Sequence, residues 1–577
     1  MNHAHLDPAG LDDAGHGHDL FTAAAVQTPQ RANKPDPWRL AAVATVLFAA
    51  FAFVAVQLVV NAVPGTVGPA VANINVKSAR EVSPRASIID RRGELIAHSL
   101  KFQSLFANPK EVRDPAAVAR ALKTVLPTMN VAEVERELSN KAREFAYIDR
   151  HLPPNQHAAV LELGIPGLYF VPEYKRVYPR GRLAAHLVGT VQHDHRGGIN
   201  GAESFFDADL VSNADLPLEL SVDLRVQNVV AEEVAAAMKK FNAISGLGLV
   251  MDVNTGEVLA SVSLPDFDPN RLSSLDSDTQ LNQVVGGRYE LGSMFKLITS
   301  AIAIETGMAN ETTRFDATRP LRVHGHRIAD YRGENRWLSM REVLIHSSNI
   351  GAAKMAELIS APVMKRYYGS FGLLAKSQIE LKESSNPITP QRWQDIQAMT
   401  ASFGHGISVT PIQFAAAIGA LANGGVLHRP TIVKVVPGAE PVGTRVIGEA
   451  TSKRMLKLMR GVVVEGSGKG ANSAHYRVGG KTGTALKAVK GGYSKDKRRS
   501  SFVGVLPVED PKYLVMVSID EPKGNKESYG FATGGWVAAP AVGEIVDRVA
   551  PMLGLQKSAP DLDALSGVQA AAVRTRH

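Results

Sequence analysis

A serine with a lysine three residues on, Ser293-Met294-Phe295-Lys296, is followed by Ser347-Ser348-Asn349 and then by Lys481-Thr482-Gly483-Thr484. A serine hydroxyl attacks an amide carbonyl poorly at neutral pH unless a base within hydrogen-bond reach takes its proton. Lys296 is the candidate base for Ser293. It can act only if it is neutral part of the time, which calls for burial or neighbouring positive charge, and Lys481 is the candidate neighbour. Together the three strings describe an acyl-transfer site built on a serine nucleophile.

These groups have to be positioned by regular elements. Gly292-Ser293 opens an apolar-periodic run through Leu297, Ile298, Ala301 and Ile302 that stops at Gly307. The pattern predicts a helix beginning near Ser293. Residues three apart share a helix face, so Lys296 is expected beside Ser293. The backbone N–H groups of such a helix start can stabilise an oxyanion. Val478-Gly479-Gly480 leads into an expected strand through Lys481, with Thr482 and Thr484 on one face and Lys481 on the other. Two hydroxyls on one face suit a carboxylate, and Gly483 would let a substrate backbone come close.

The chain contains its own controls. Ser494-Lys495-Asp496-Lys497 repeats the serine-to-lysine spacing, and Ser384-Ser385-Asn386 repeats the second string. The first lies in a Gly-, Lys- and Arg-rich run without helical period, and the second runs into Pro387. Spacing alone therefore does not single out the site; order and local context do.

With those residues in hand, the chain resembles the class B penicillin-binding proteins, and most of all their septal, cell-division branch. The resemblance implies that Ser293 is the acylated nucleophile, Lys296 its base, Ser347 a proton relay and Asn349 the amide that holds the substrate backbone. It likewise implies that Lys481, Thr482 and Thr484 bind the terminal carboxylate, and that the N–H groups of Ser293 and Thr484 form the oxyanion hole. It extends to Arg85-Ala86-Ser87-Ile88-Ile89-Asp90-Arg91-Arg92-Gly93, to Arg176-Val177-Tyr178-Pro179 with Ala184-Ala185-His186, to Gly201-Ala202-Glu203, and to Phe403-Gly404-His405-Gly406 through Gln413. Leu291, Met294 and His405 depart from the residues common in that family, which bears on substrate fit more than on chemistry.

The 577 residues are long enough for several domains, and 45% hydrophobic with 21% charged residues is ordinary globular composition. Leu40 to Val60 is interrupted only by Thr45 and Gln57. As a helix it would measure about 31 Å, enough to cross a bilayer core. Arg31, Lys34 and Arg39 precede it and no Lys or Arg follows until Lys77, which predicts a cytoplasmic N-terminus. A cleavable signal peptide is the rival, but the apolar stretch is long and its cleavage-like Ala50-Phe51-Ala52 lies mid-span. The absence of cysteine excludes disulfides. The net charge of +8 is spread along the chain without a nucleic-acid motif, so anionic membrane or cell-wall polymer is the more economical partner than nucleic acid.

The expected organisation is a disordered cytoplasmic tail (1–37), a transmembrane helix (38–60), a non-catalytic pedestal or dimerisation-like domain (61–215), a transpeptidase domain (216–556) and a C-terminal tail (557–577). His3, His5, His16 and His18 are too irregularly spaced to predict a metal site, and no cofactor is expected. Within 216–556, Leu247–Val253 and Glu257–Ser263 flank Asn254-Thr255-Gly256, and Phe502–Leu506 and Tyr513–Ile519 flank Glu509-Asp510-Pro511, two hairpin signals. With the Lys481 strand they predict a five-stranded antiparallel sheet. Thr410, Pro411 and Gln413 read as a capping box opening a helix that ends at Asn423-Gly424-Gly425, and a terminal helix is expected from about Val542 to Leu553. The fold class is α+β, which the resemblance refines to the penicillin-binding and serine β-lactamase-like architecture. The basic stretch of Lys487, Lys490, Lys495, Lys497, Arg498 and Arg499 is read as a solvated loop, or else as a contact for membrane, glycan or an acidic partner.

The leading functional expectation is a D,D-transpeptidase that cross-links peptidoglycan stem peptides, with a D-Ala-D-Ala donor and an amine acceptor. It would be a target of β-lactams and work with division proteins including a glycan synthase. The resemblance implies a single-pass inner-membrane protein with a periplasmic catalytic domain. The alternatives are an elongation-type transpeptidase, a D,D-carboxypeptidase or β-lactamase-like hydrolase, and a division scaffold or sensor. The hydrolase lacks a convincing glutamate motif between Asn349 and Lys481, and the sensor lacks an output domain in the tail.

Overall fold

A computed structural model describes residues 37–62, 84–192, 197–271, 276–436, 438–439, 441–489 and 492–558, in two units, Met1–Arg80 and Glu81–His577. Residues 1–36 of the expected tail at 1–37, with its four histidines, and residues 559–577 lie outside them.

In the first unit Pro37–Ala62 is a 26-residue helix. Its side chains are described at Trp38 and over 41–56, all exposed. Among the described residues no helix is long and apolar enough to cross a membrane. The helix expected at 38–60 forms as Pro37–Ala62; the expected membrane crossing is not shown by its described residues.

In the second unit, residues 84–219 carry a five-stranded sheet. Leu95–Ala107 is its long strand, pairing antiparallel with Ile88–Ile89, Ala146–Leu152 and Leu168–Val177, while Ile88–Ile89 pairs parallel with Leu218–Glu219. Helices Pro115–Val125 and Val131–Ser139 start where Asp114 and Asn130 accept from the backbone N–H of Ala117 and Glu133, the N-cap arrangement. Their apolar faces, including Leu122, Val134 and Leu138, pack with Leu105 and Leu152 in a separate small core. The fully buried Glu203 is held by Arg85 and Arg176.

Residues from Ser245 onward form a five-stranded antiparallel sheet in the order Gly479–Val489, Gly492–Leu506, Tyr513–Asp520, Ser245–Asp252, Val258–Leu264. The alternation of these strands sends two apolar faces to opposite sides. Val226, Val230 and Val234 of helix Leu224–Lys240 and Val542, Ile545 and Val546 of helix Gly534–Val549 cover one face. Helices Lys296–Glu305, Pro411–Ala422 and Glu449–Val464 join the larger core on the other. The capping box at Thr410 and Gln413 forms as read.

Two expectations are corrected. The terminal helix spans Gly534–Val549 rather than 542–553, with Pro540 inside it; its first turns are buried through Val537, Ala538 and Ala539 and Gly534 N donates to Thr484 Oγ1 at 3.1 Å, long-range packing that outweighs the local breaker. The basic stretch is not a loop. Its described residues continue the two strands 479–489 and 492–506. Lys487 pairs with Asp520 and Glu521, and Arg499 pairs with Asp520 while lying 3.7 Å over the Tyr289 ring. Arg499 and Asp520 stand opposite each other on adjacent strands and Lys487 reaches across to Asp520 and Glu521, so paired charges make the hairpin compatible with its composition. Lys490 and the Lys495 side chain lie outside the described residues.

Candidate active site

Ser293 lies in a tight 3-10 turn, Gly292–Phe295, that leads directly into helix Lys296–Glu305. Side chains three apart eclipse in such a turn, and the result is a 2.7 Å hydrogen bond between Lys296 Nζ and Ser293 Oγ. Glycines bring this turn close to its neighbours. Gly292 has φ +57, and a Cβ on Gly404 would stand 2.4 Å from Gly292 O. A Cβ on Gly483 would stand 2.5 Å from Leu291 O and 3.0 Å from Met294 Cγ. Gly483 was expected to clear space for a substrate; its bare face is instead filled by the nucleophile turn, which packs straight onto the strand.

Ser347-Ser348-Asn349 links two helices. Met340–Ile345 opens on a Ser339–Glu342 capping box. Ser347 then takes a left-handed φ of +60, and Ser348 caps helix Asn349–Ile359 by accepting from Gly351 N. A non-glycine residue in that region costs about 1–3 kcal/mol and persists only where its surroundings hold it. Here Lys296 Nζ donates to Ser347 O at 2.8 Å and to Asn349 Oδ1 at 2.7 Å, and reaches Ser347 Oγ at 3.3 Å. Asn349 Nδ2 donates to Ala329 O at 3.0 Å, so the amide oxygen is the atom that faces the lysine.

Lys481 completes the cluster from the edge strand of the sheet. It is fully buried, and its Nζ donates to Ser347 Oγ at 3.0 Å and to Thr482 O and Oγ1 at 3.3 Å. Alternation separates the Cβ atoms of Lys481 and Thr482, but the length of the lysine folds its ammonium back to the threonine. Thr482 Oγ1 also meets Ser467 Oγ at 2.6 Å. Thr484 Oγ1 accepts from Gly534 N, so one of its lone pairs holds the terminal helix.

Burial, then the charge of Lys481, drives the Lys296 pKa well below the ordinary lysine value, against an opposing pull from Asp330. Burial lowers Lys481 to about 7. Desolvation disfavours an ammonium. A neutral Lys296 can give its two N–H protons to Ser347 O and Asn349 Oδ1, which leaves the lone pair for the Ser293 hydroxyl. Ser293, Ser347, Asn349 and Thr484 are only partly buried, while the base Lys296 is fully buried.

Beside Gly404, which abuts the nucleophile turn, the basic hairpin packs on His405. Tyr493 stacks on His405 with ring centroids 5.2 Å apart, and its hydroxyl donates to Glu290 Oε1 at 2.8 Å. The two internal controls stay apart from this cluster: Ser494 Oγ donates to Asp496 Oδ1, and Ser384 Oγ donates to Ser377 O. The reading of the sequence missed Asp330, Ser467 and Gly404 as parts of the site. Gly466-Ser467-Gly468 carries a local signal of close approach in its flanking glycines; Asp330 carries none.

Comparison with known proteins settles the family. The penicillin binding protein transpeptidase domain matches residues 246–547, and the penicillin-binding protein dimerisation domain matches residues 80–210. The chain belongs to the penicillin-binding protein transpeptidase family. It is 38% identical over 486 residues to the probable peptidoglycan D,D-transpeptidase FtsI of Caulobacter vibrioides, covering 82% of each chain. It is 31% identical over 513 residues to the peptidoglycan D,D-transpeptidase FtsI of Escherichia coli K12, covering 82% of this chain and 84% of that one. It is 32% identical over 515 residues to the stage V sporulation protein D of Bacillus subtilis, covering 82% and 79%. The second unit therefore combines a penicillin-binding dimerisation domain with a transpeptidase domain in a mixed α+β fold, as the resemblance implied.

Proposed function

We propose that this penicillin-binding protein is a peptidoglycan D,D-transpeptidase of the division septum, working through an acyl-enzyme on Ser293. The observation that carries the reading is the 2.7 Å contact of Ser293 Oγ with a fully buried Lys296 whose other partners are hydrogen-bond acceptors. Neutral Lys296 takes the Ser293 proton as the oxygen attacks the carbonyl of the penultimate D-Ala. The N–H groups of Ser293 and Thr484 receive the oxyanion. Ser347, between the two lysines, passes a proton to the departing D-Ala amine, and Asn349 orients the donor backbone. Lys481 and Thr482 hold the terminal carboxylate, with the Thr484 O–H as a further donor. An amine of a neighbouring stem peptide then resolves the acyl-enzyme.

Transfer is favoured over hydrolysis because, among the described residues, no glutamate hydrogen-bonds to Ser293, Lys296, Ser347 or Lys481 that could activate a water there. The helix Pro37–Ala62, with Arg31, Lys34 and Arg39 ahead of an apolar run continuing to Val60, supports an inner-membrane anchor with a cytoplasmic N-terminus and a periplasmic catalytic domain. Residues 61–215 serve as the pedestal, a surface for division proteins including a glycan synthase.

The test is intact-mass and peptide mass spectrometry after treatment with benzylpenicillin. One stable adduct on Ser293 is expected, and none in Ser293→Ala. An adduct on another residue overturns the assignment, and rapid multiple turnover of the drug favours the hydrolase. Midcell rings of a fluorescent fusion are expected for a septal role; a dispersed lateral pattern would favour elongation.

A further inference from the structure

The element bearing Ser347 and Asn349 is clamped by a carboxylate from a separate hairpin. Leu321–Val323 pairs with His326–Ile328, and the buried Ile328 seats the hairpin in the core. The chain then delivers Ala329 and Asp330. Asp330 Oδ1 accepts from the backbone N–H of Asn349 at 2.5 Å and of Ile350 at 3.0 Å, and Oδ2 accepts from Ser348 Oγ at 2.8 Å. Ala329 O accepts from Asn349 Nδ2. Ser348 already caps this helix through Gly351 N, so the carboxylate does more than supply a missing cap. It binds the cap residue itself and the two N–H groups that the serine leaves free.

We propose that Asp330 is a positioning residue of the acyl-transfer site, holding Ser347–Asn349 so that the Ser347 carbonyl and the Asn349 amide oxygen both face Lys296 and its lone pair is left for Ser293. This rests on the function proposed above. Each acceptor that faces Lys296 belongs to a residue adjoining one of the atoms Asp330 binds. The left-handed Ser347 directly precedes the clamped cap, where its strain is contained. Asp330 also acts on Lys296 through space. The charged or titratable groups bearing on that amine are Lys481 from the edge strand, His405 from the loop beside the nucleophile turn, and Asp330 from the hairpin. Only Asp330 is anionic, so its charge opposes the loss of the Lys296 proton.

The test uses the full chain, a fluorescent penicillin, and the second-order acylation rate measured across pH alongside thermal unfolding. Asp330→Asn keeps the size of the side chain and an oxygen for the two N–H groups while removing the charge. It is expected to fold, to acylate roughly 10²-fold more slowly as the site loosens, and to show an acid limb displaced to lower pH, because Lys296 loses an anionic neighbour that raises its pKa. Asp330→Ala is expected to lose more rate and some thermal stability. A folded Asp330→Asn with wild-type rate or an unmoved acid limb overturns the proposal. So does failure of Asp330→Asn to fold, which would make the carboxylate a folding element only. Should Asp330→Ala alone unfold, Asp330→Asn carries the decision. Failure of the wild-type chain to acylate at Ser293 would instead strike the proposed function, and is read separately from the variant.

Discussion

Lys481 Nζ donates to Ser347 Oγ at 3.0 Å, and Lys296 reaches the same hydroxyl at 3.3 Å. One serine thus bridges two fully buried lysines. Two ammonium groups sharing one hydroxyl in a dry site repel strongly, so the proton is expected to stay on one of them. Lys296 faces the nucleophile and is the one held neutral, while Lys481 carries the charge that a carboxylate needs.

The pH dependence follows with its sign. Acylation needs neutral Lys296, whose pKa is depressed first by burial and then by Lys481, so the rate rises with pH well before ordinary lysines lose their protons. It also needs cationic Lys481 in the free protein, and that charge fades as pH passes about 7. The second-order rate constant for a carboxylate-bearing penicillin, which reports free-protein groups, should therefore decline through about pH 7 on its alkaline side. A rate still climbing at pH 9 would contradict the assignment of Lys481.

Removing the base should separate chemistry from binding. Lys296→Ala is expected to lower the acylation rate by about 10²–10⁴-fold while the noncovalent affinity for the same penicillin changes little, because the proposed carboxylate contacts come from strand Gly479–Val489 rather than from the helix of Lys296. Stopped-flow measurement of the saturating rate and the half-saturating concentration distinguishes the two.

Gly483→Ala tests the packing of the nucleophile turn. The added methyl would stand 2.5 Å from Leu291 O, and the backbone there cannot yield without moving Ser293. Overpacking of this kind costs about 1–3 kcal/mol. Urea unfolding should show that loss together with slowed acylation. Full activity would mean that the turn is free to shift.

Glu203 tests the pedestal junction. Arg85 Nε donates to Glu203 Oε2 at 3.0 Å and Arg176 Nε to Oε1 at 2.6 Å, all three side chains being buried. Glu203→Ala removes the carboxylate that the buried Arg176 pairs with, while Arg85 keeps Asp207; stranding a buried charge in this way costs about 3–5 kcal/mol. Adding Arg176→Ala should cost less than the sum of the single changes, as measured by denaturant unfolding.

Much of this site is local in origin and was legible for that reason. Ser293 and Lys296 are three residues apart, and any tight helical turn brings them together. The hairpins around Asn254-Thr255-Gly256 and Glu509-Asp510-Pro511 are specified by turn chemistry and alternation, as is the Thr410 capping box, and all three form. The failures are also local in cause. A run of cations from Lys487 argues for irregular chain and is overridden by partners from elsewhere, Asp520 and Glu521; the terminal helix starts at Gly534 rather than about Val542, where Thr484 meets it.

The amino-acid order by itself determined the chemistry on offer: a serine with an amine one turn away, a strand carrying Lys481, Thr482 and Thr484, and the periodicities that build an α+β sheet. Only the tertiary structure decided that Asp330 would grip the Ser347–Asn349 turn, that Gly483 would be filled by the nucleophile turn rather than by substrate, and that two lysines would share one hydroxyl. The physical reason is range. Helical and strand periods are set by neighbours in the chain, whereas desolvation and the meeting of charges depend on surfaces that come together only when distant segments pack.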